Sequence, residues 1–464
     1  MKSVILNLHE QLKSGKVKPV DLINNAKALA DKYSFTNSII TPIFKTSDKP
    51  FDPNNLLSCI PYSLKDNVST EGITTTGGSK FLSKYVPPYN ASVYGLLKIN
   101  GAALVSKDAL DEFGLGGTGT HCFTGPVCNP HDKTRRTGGS SSGSVVNVAT
   151  GISTFAIGTD TGDSIRRPAS LVGVVGYKPT YGAISRYGVL PYAPSFDHVG
   201  IISKYVADAT IVAQTLIKHD PKDYTSTTMI KDVKLENLKK ESVIRFVVLT
   251  NLVKLLDQNK QDLFNRFVQQ LKDAGHIVTE AQLDNQVLDK ILFAYKVLTY
   301  TEGYSCYSNL QGITFGKNEG KDDDDYAQTL IKSRTLNIGN EVKRRFVIGT
   351  FLTAKENMSS ITLAAQCVRH MVQDEQARLL KLGDCILMPT LMSTAHVMDD
   401  FSRESNYDDW LMMDNFSGTP SINIPFTKID NLPWGLTISC DIYQDMKLLN
   451  IAYTLEDMIG GNHE

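Results

Sequence analysis

The sequence predicts an α/β protein: a single large domain in which helices cover both faces of a mixed β-sheet. Three observations indicate this class: short apolar runs typical of buried strands, amphipathic stretches between them, and no polar linker long enough to separate domains. The 464 residues are 41% hydrophobic and 21% charged, an ordinary globular composition with ample core. We expect one domain over residues 1–464, because large α/β enzymes reach this length as one domain.

The elements can be assigned in order along the chain. Val20, Ile23, Ala26 and Ala30 recur at helical spacing, which predicts a helix over 19–32. Residues of about 55–205 are rich in glycine and serine, in short turns between apolar runs such as "IPYSL" and "TFAIG". Beyond 205, "SVIRFVVL" (242–249) predicts a buried strand, and 259–275 an amphipathic helix that ends at Gly275. Further strands are predicted in "CILMPTL", "PSINIPF" and "WGLTISC", and a last helix near 445–459.

Charge and cysteine content exclude several functional classes. The net charge is −1 and the sequence pI is about 6.8, which gives no electrostatic footprint for nucleic acid or an anionic membrane. Seven scattered cysteines with no C-x-x-C motif suit a reducing compartment. "HCFTGPVCNPH" (121–131) fits no standard zinc spacing, and no run of 18 apolar residues exists. We expect no metal site and no membrane span.

The run "TRRTGGSSSGSVVNVATG" (134–151) has two alternative interpretations. One is a flexible glycine-serine linker. The run is short, however, and leads directly into the apolar "VVNVA", which favours a loop that feeds the N-terminus of a helix. Residues 139–143 also match the G-x-S-x-G elbow of α/β-hydrolases. That elbow needs a buried strand before it, and "NPHDKTRR" is too polar to be one.

Two further stretches carry residues that suit nucleophilic chemistry. "GTDTGDSIRRPA" (158–169) presents Ser164 in a turn after an apolar run, where backbone N–H groups would be free to stabilise an oxyanion. No histidine lies within thirty residues of Ser164 to take its proton. In "IPYSLKDNV" (60–68), Lys65 ends an apolar run, where a lysine is costly unless it is paired or deprotonated. Taken alone, this stretch favours a surface lysine with a buried stem.

Taken together, these three stretches resemble the amidase signature family. The resemblance rests on Lys65 in "SLKDN", Ser140 in "TGGSSSGS" and Ser164 in its turn, with spacings of 75 and 24 residues. It implies the amidase signature fold and a Ser-Ser-Lys triad, in which the lysine acts as base through a second serine held on a cis peptide. Burial can lower the pKa of a lysine by several units, so a neutral amine is available near pH 7. The resemblance also implies that Thr161, Gly162 and Asp163 supply the oxyanion N–H groups.

Asp163 departs from the family pattern, which usually has glycine at this position. A backbone donor needs no particular side chain. A carboxylate near a developing oxyanion is nevertheless unfavourable unless it is turned away or paired. Arg166 and Arg167 are close enough in sequence to pair with it.

Within the family, three stretches resemble the branch whose members are glutaminase subunits of glutamyl-tRNA(Gln) amidotransferases: residues 175–200, "NEVKRRFVIGTF" (340–351) and "GTPSINIP" (418–425). This resemblance implies that the chain releases ammonia from glutamine. A tRNA- and ATP-binding partner, the B subunit, would use the ammonia to convert Glu-tRNA(Gln) to Gln-tRNA(Gln). The resemblance implies that this chain holds no cofactor and that the partner uses ATP and Mg. It also implies that a small accessory subunit belongs to the complex. Free glutamine would be held by Tyr295 in "FAYKV", Arg344 or Arg345 in "EVKRR", and Asp408 in "NYDDW", with Arg344 as the first choice.

Two questions stay open at the level of the sequence. "FGLGGTGTHCFTG" (113–125) replaces an asparagine- and serine-rich bacterial stretch, which favours a mitochondrial matrix protein over a bacterial cytoplasmic one. The alternative functions are a stand-alone amidase for small amides and a catalytically silent scaffold subunit. Asp163 makes the second alternative conceivable.

Overall fold

The computed structural model describes residues 1–230, 232–400 and 407–460, and for Tyr407 the backbone alone. Within this part of the chain, eleven strands form one sheet in the order β1-β3-β2-β4-β6-β5-β10-β11-β9-β7-β8. The strands are β1 (Ile39–Pro42), β2 (Pro61–Lys65), β3 (Ala103–Asp108), β4 (Phe155–Asp160), β5 (Val175–Lys178), β6 (His198–Ser203), β7 (Arg245–Leu249), β8 (Ile277–Ala281), β9 (Cys385–Pro389), β10 (Ser421–Ile429) and β11 (Leu432–Ser439).

Helices occupy the connections between the strands. They are α1 (Val4–Lys13), α2 (Pro19–Lys32), α3 (Ser92–Ile99), α4 (Ser142–Ala149), α5 (Arg166–Val172), α6 (Val206–Leu216), α7 (Thr250–Val253), α8 (Gln258–Asp273), α9 (Asn285–Tyr307), α10 (Tyr326–Asn337), α11 (Asn340–Thr353), α12 (Lys355–Asn357), α13 (Leu363–Leu380), α14 (Met413–Ser417) and α15 (Asp445–Gly460). A π-helical turn, Met358–Thr362, joins α12 to α13, and a 3₁₀ turn, Tyr407–Met412, precedes α14.

The sheet is mixed and covered on both faces, which confirms the predicted fold class. β2 pairs in parallel with β3 and β4, whereas β4, β6, β5 and β10 are joined by antiparallel pairs. Every residue of β2, β3, β4 and β6 is buried. Successive side chains of a strand point to opposite faces, so complete burial means that both faces are packed.

The elements predicted from sequence periodicity are confirmed. The helix over 19–32 is α2, which buries Leu22, Ile23 and Ala26, and the helix over 259–275 is α8. The predicted strand in 242–249 is β7, and the three later strands are β9, β10 and β11. The last helix is α15. The serine-rich run is not a linker, because it is buried and α4 begins within it at Ser142.

The topology brings the chemically interesting residues to one edge of the sheet. Because β2 and β4 are adjacent and parallel, their carboxyl ends lie at the same edge. Lys65 ends β2 and Asp160 ends β4, so the turn after Asp160 lies next to the end of β2. In open α/β sheets, ligands bind outside the carboxyl ends of strands.

Several features are absent from the described residues. None of their helices has the length and apolar character needed to cross a membrane. No group of three or more histidine, cysteine, aspartate or glutamate side chains there is arranged to hold a metal ion. In the 121–131 stretch, the Cys122 thiol contacts Thr124 and the His131 ring bonds the carbonyl of Val172. All seven cysteines are free thiols.

Candidate active site

Lys65 lies completely buried at the end of β2, with hydroxyl groups around its amine. Its Nζ is 2.8 Å from the Oγ of Ser140 and 2.8 Å from the Oγ1 of Thr159, and 3.3 Å from the Thr159 carbonyl oxygen. No carboxylate among the described residues forms an ion pair with it. A buried amine without a counter-ion is stabilised in its neutral form.

The pKa of Lys65 is lowered to about 7, chiefly by burial, while the more distant carboxylates of Asp111, Asp160 and Asp197 partly oppose the shift. An ordinary lysine, with a pKa near 10.4, has less than roughly 0.1% of its neutral form at pH 7. Burial therefore makes Lys65 a usable proton acceptor near neutral pH. The interpretation of Lys65 as a surface lysine is wrong, because the fold encloses the amine as well as the stem.

Ser140 is held by a buried polar framework. The Gly139–Ser140 peptide bond is cis, as the family resemblance implies. A Cβ at Gly139 would lie 2.2 Å from a carboxylate oxygen of Asp111, so this position has room only for glycine. The neighbouring hydroxyls are bound by the core: Ser141 Oγ donates to the Thr159 carbonyl and Ser144 Oγ to Asp108. These bonds explain why a serine-rich segment is rigid here rather than a linker.

The turn that carries Ser164 presents a row of unpaired backbone donors. The N–H groups of residues 161–164 have no hydrogen-bond acceptor among the described residues. Ser164 itself is 4% exposed, and its carbonyl accepts the N–H of Ser141, which keeps it beside the Ser140 segment. At its start the turn is fixed by Thr161, whose Oγ1 donates to Asp197. Free N–H groups beside a serine hydroxyl are what an oxyanion site requires.

Tyr295 explains the glycine in this turn. A Cβ at Gly162 would lie 2.8 Å from the Tyr295 Oη, so any larger residue would displace either the ring or the turn. The Tyr295 Oη makes no hydrogen bond to the described residues, and burial raises the pKa of the hydroxyl well above its usual value. Tyr295 therefore offers a neutral hydroxyl donor next to the turn.

Asp163 is paired, and its partner is Arg167 rather than Arg166. The Asp163 Oδ2 lies 2.5 Å from Arg167 Nη2 and 2.6 Å from Arg167 Nε. The backbone of Asp163 is not in the left-handed region, so the position does not require glycine. Arg166 is fully buried, where it binds Asp160 and Asp414 and donates to the carbonyl of Gly162. Arg166 therefore stabilises the turn through the carbonyl of Gly162.

The two candidate arginines on α11 face different surroundings. Arg344, the first choice from sequence, is 61% exposed, and within the described part of the chain it bonds only Glu341 on its own helix. Arg345 is 13% exposed, donates to the Tyr192 hydroxyl at 2.9 Å and lies over the Tyr300 ring at 5.2 Å. The geometry therefore favours Arg345 over Arg344, because the side chain of Arg344 points to solvent and that of Arg345 points inward.

Asp408 lines a cavity beside the turn. It lies in the 3₁₀ turn that follows the undescribed residues 401–406, with Arg167 Nη1 at 3.0 Å from Oδ2 and the Met392 N–H on Oδ1. We call this the Arg167 cavity. It measures about 260 Å³, and its lining includes Arg136, Gly138, Arg167, Leu292, Asp408 and Asp409. Two arginines, two aspartates and an apolar wall suit a zwitterion with a short side chain.

A second cavity lies next to residues that contact the triad. It measures about 310 Å³, and its lining includes Asn67, Gly114, Thr159, Thr161, Tyr192 and Asp197. We call it the Tyr192 cavity. A Cβ at Gly114 would be 3.7 Å from Ser140 Oγ, and Asn67 Nδ2 donates to the same Thr159 hydroxyl that contacts Lys65.

Thr159 and Asn67 were assigned no role from the sequence, and Arg167 was one of two candidate partners of Asp163. Thr159 contacts the Lys65 amine, Asn67 donates to the Thr159 hydroxyl, and Arg167 joins Asp163 to Asp408. The i, i+4 spacing of Asp163 and Arg167 was the only available indication, since such pairs share a helix face.

Comparison with known protein families shows which family this chain belongs to. A family model described as amidase matches residues 36–449, nearly the whole chain. The chain belongs to the amidase family. Amidase family members are enzymes, and the three residues that carried the sequence resemblance, Lys65, Ser140 and Ser164, all fall within the matched segment.

Individual amidase family relatives narrow the comparison. The A subunit of glutamyl-tRNA(Gln) amidotransferase from Mycoplasma genitalium is 41% identical, with the whole of both chains aligned. The protein of the same name from Sulfurimonas denitrificans is 32% identical over 99% of this chain and all of its own length. Among solved structures, the A subunit from Thermotoga maritima is 28% identical, with a TM-score of 0.80 over 95% of this chain and 91% of that one.

The amidase fold extends to enzymes of other specificity. Native peptide amidase from Stenotrophomonas maltophilia has a TM-score of 0.82 over 98% of this chain and 96% of its own, at 24% identity. At that identity the likeness concerns the fold alone.

Proposed function

We propose that this chain is the glutaminase subunit of a glutamyl-tRNA(Gln) amidotransferase, which hydrolyses glutamine and passes the ammonia to a partner protein. One observation carries the chemistry: the buried Lys65 amine lies 2.8 Å from the Ser140 hydroxyl, and its pKa is lowered to about 7. Relatives that align over their whole length and are named as the A subunit of that enzyme support the choice of substrate and product.

The first half-reaction forms an ester on Ser164. Neutral Lys65 accepts a proton from Ser140, and Ser140 accepts one from Ser164 as its oxygen attacks the side-chain amide carbon of glutamine. The carbonyl oxygen becomes an oxyanion in the tetrahedral intermediate. The unpaired N–H groups of residues 161–164 stabilise that charge, and such preorganised donors are usually the largest single contribution to catalysis.

Departure of ammonia completes the first half-reaction, and the second half-reaction releases glutamate. Ser140 gives its proton to the leaving nitrogen and is reprotonated by Lys65, so that the nitrogen departs as ammonia and leaves a γ-glutamyl ester on Ser164. Water then attacks the ester carbon, with the same residues removing its proton, and glutamate is released. Each step returns Lys65 to its neutral form.

We propose that the site recognises glutamine by its α-ammonium and α-carboxylate groups rather than by its side-chain amide. Asp408 suits the α-ammonium, because it is a partly exposed carboxylate in a cavity beside the Ser164 turn. Arg345 and Tyr295 suit the α-carboxylate as inward-facing donors, and an arginine fork matches carboxylate geometry. We assign the exit of released ammonia to the Tyr192 cavity, whose lining includes Thr161 of the turn and shares no residue with the Arg167 cavity.

Partner proteins complete the proposed activity. The net charge of −1 provides little affinity for tRNA, so the B subunit binds Glu-tRNA(Gln) and uses ATP and Mg. A small accessory subunit would hold the two together. The relatives compared above are bacterial proteins, which supports the bacterial cytoplasm rather than the mitochondrial matrix. The mitochondrial location stays a prediction that no comparison supports.

The test is amidation of Glu-tRNA(Gln) by the chain copurified with its natural partners. We expect glutamine and ATP to yield Gln-tRNA(Gln), with one glutamate released for each amide formed. Steady hydrolysis of simple amides by the isolated chain, without amidation by the complex, would instead identify a stand-alone amidase. Amidation with ammonia but never with glutamine would identify a silent scaffold subunit.

A further inference from the structure

Three charged side chains form a line from the Ser164 turn to the Arg167 cavity. Arg167 directs Nε and Nη2 to Asp163, while its Nη1 donates to Asp408 at 3.0 Å. The side chains are 10%, 22% and 29% exposed in the order Asp163, Arg167, Asp408. One guanidinium therefore contacts both the turn with the free N–H groups and the carboxylate that faces the cavity.

Local geometry fixes this arrangement. Asp163 and Arg167 are four residues apart across the start of α5, and the Arg167 N–H bonds the Asp163 carbonyl, so the two side chains share one face. Asp408 is fixed from the other side by the N–H of Met392. The planar fork of an arginine allows it to serve two carboxylates at once, which a lysine could not do in the same way.

Two carboxylates and one guanidinium give the line a formal charge of −1. Arg136 and Asp409, which line the same cavity, carry opposite charges and do not change this sum. If Asp163 were absent, Arg167 would neutralise Asp408 and nothing would remain to attract a cation. If Arg167 were absent, a buried Asp163 carboxylate would stand unpaired beside the oxyanion site, and burial already raises its pKa.

We propose that Asp163 and Arg167 determine the specificity of the site for amides that carry an α-ammonium group. Arg167 is a positioning residue: it orients the Asp408 carboxylate toward the cavity and draws Asp163 away from the oxyanion. Asp163 balances Arg167, so that Asp408 keeps the negative charge that an ammonium needs. This inference rests on the proposed glutaminase function and adds to it the residues that select the amino-acid end of the substrate.

Each substitution then has its own kinetic signature. Asp163→Gly should retain or raise kcat, because the N–H donor belongs to the backbone. It should raise KM for glutamine about 3- to 10-fold, a modest effect because the Asp408 carboxylate that Arg167 then neutralises is 29% exposed. Arg167→Gln should lower kcat, since it leaves the Asp163 carboxylate unpaired. The double variant should recover both kcat and KM toward wild type, because Asp408 again carries an unneutralised charge and no carboxylate stands beside the turn.

The experiment compares glutamine with glutaramate, the same primary amide without the α-amino group, using the full chain in complex with its partners. We expect the wild-type complex to prefer glutamine. Asp163→Gly should lose this preference, because its KM for glutamine rises while its KM for glutaramate does not change. Arg245→Gln, in an arginine–aspartate ion pair with Asp384 outside the Arg167 cavity, is the matched control and should change neither substrate. Thermal unfolding of each variant verifies that it is folded.

Three results would overturn the inference. One is a wild-type complex that hydrolyses both amides equally well. This result would contradict the proposed specificity but not the proposed hydrolysis of amides. The second is an equal rise in KM for both amides in Asp163→Gly. The third is a double variant no better than Arg167→Gln. A wild-type complex that hydrolyses neither amide would refute the proposed function as well, so the two failures are distinct.

Discussion

The side-chain nitrogen of Lys65 lies 2.8 Å from the hydroxyl oxygen of Ser140, and the fold buries both residues. Two neighbouring parallel strands produce this contact, because β2 ends at Lys65 and β4 delivers Thr159 beside it. A histidine base is unnecessary in such a site. Burial gives the lysine a pKa of about 7, the value a general base needs near neutral pH.

The pH dependence of glutaminase activity follows from this shift. Since the pKa of Lys65 is lowered to about 7, the amine is protonated and inactive below that pH and neutral above it. We expect kcat/KM for glutamine to rise with pH through about 7 and then level off. Lys65→Arg should lose about 10²- to 10⁴-fold in rate, the usual effect of removing a general base. Near-normal turnover in a folded Lys65→Arg variant would contradict the assignment.

Gly162→Ala tests the turn that carries the free N–H groups. Its new Cβ would lie 2.8 Å from the Tyr295 hydroxyl, so the turn or the ring must move. We expect kcat to fall by up to about 10²- to 10³-fold, the loss seen when one oxyanion donor is removed. Gly95→Ala is the matched control, because a Cβ there meets no atom within 4 Å and Gly95 lies in α3. It should keep full activity, and equal effects of the two substitutions would count against the assigned turn.

The two arginines of α11 give a second matched pair. Arg345→Gln should raise KM for glutamine by about 10- to 100-fold, the range expected for a lost hydrogen bond to a charged group. Arg344→Gln should have little effect, because the Arg344 side chain is 61% exposed and pairs with Glu341 on its own helix. Steady-state kinetics with glutamine measures both. The opposite ranking of the two variants would return the role to Arg344.

Binding of tRNA should require the partner. The chain has 48 basic and 49 acidic residues, whereas holding even six phosphates would take a dense group of lysines and arginines. We expect no measurable binding of Glu-tRNA(Gln) to the isolated chain in a filter-binding assay at physiological salt. The assembled complex should bind it with a steep dependence on salt. Tight binding by the isolated chain would contradict this division of labour.

The sequence predicted the parts of the structure that depend on local patterns. Apolar runs and helical spacing located β7, β9, β10, β11, α2 and α8. The motifs around Lys65, Ser140 and Ser164 located the residues that the structure brings together at one edge of the sheet. Such features follow from periodicity and motif spacing, which a single chain displays directly.

The sequence could not predict the direction of individual side chains or the pairing of residues that are far apart in the chain. Arg344 and Arg345 are adjacent, and consecutive positions on an α-helix differ by about 100°, so only the packing of α11 decides which one is buried. The sequence narrowed the partner of Asp163 to two arginines, Arg166 and Arg167, but could not choose between them. In the folded chain Arg166 pairs with Asp160 and Asp414 instead. The contact between Arg167 and Asp408 joins residues 241 apart in the chain.

The most direct test of the account is Ser164→Ala in the assembled complex, assayed with glutamine and with ammonia as nitrogen donors. The account predicts that amidation of Glu-tRNA(Gln) from glutamine is abolished, because no γ-glutamyl ester can form. Amidation from added ammonia should persist, because that step takes place in the partner. Loss of both activities in a folded complex, or retention of both, would contradict the role of Ser164 as the nucleophile.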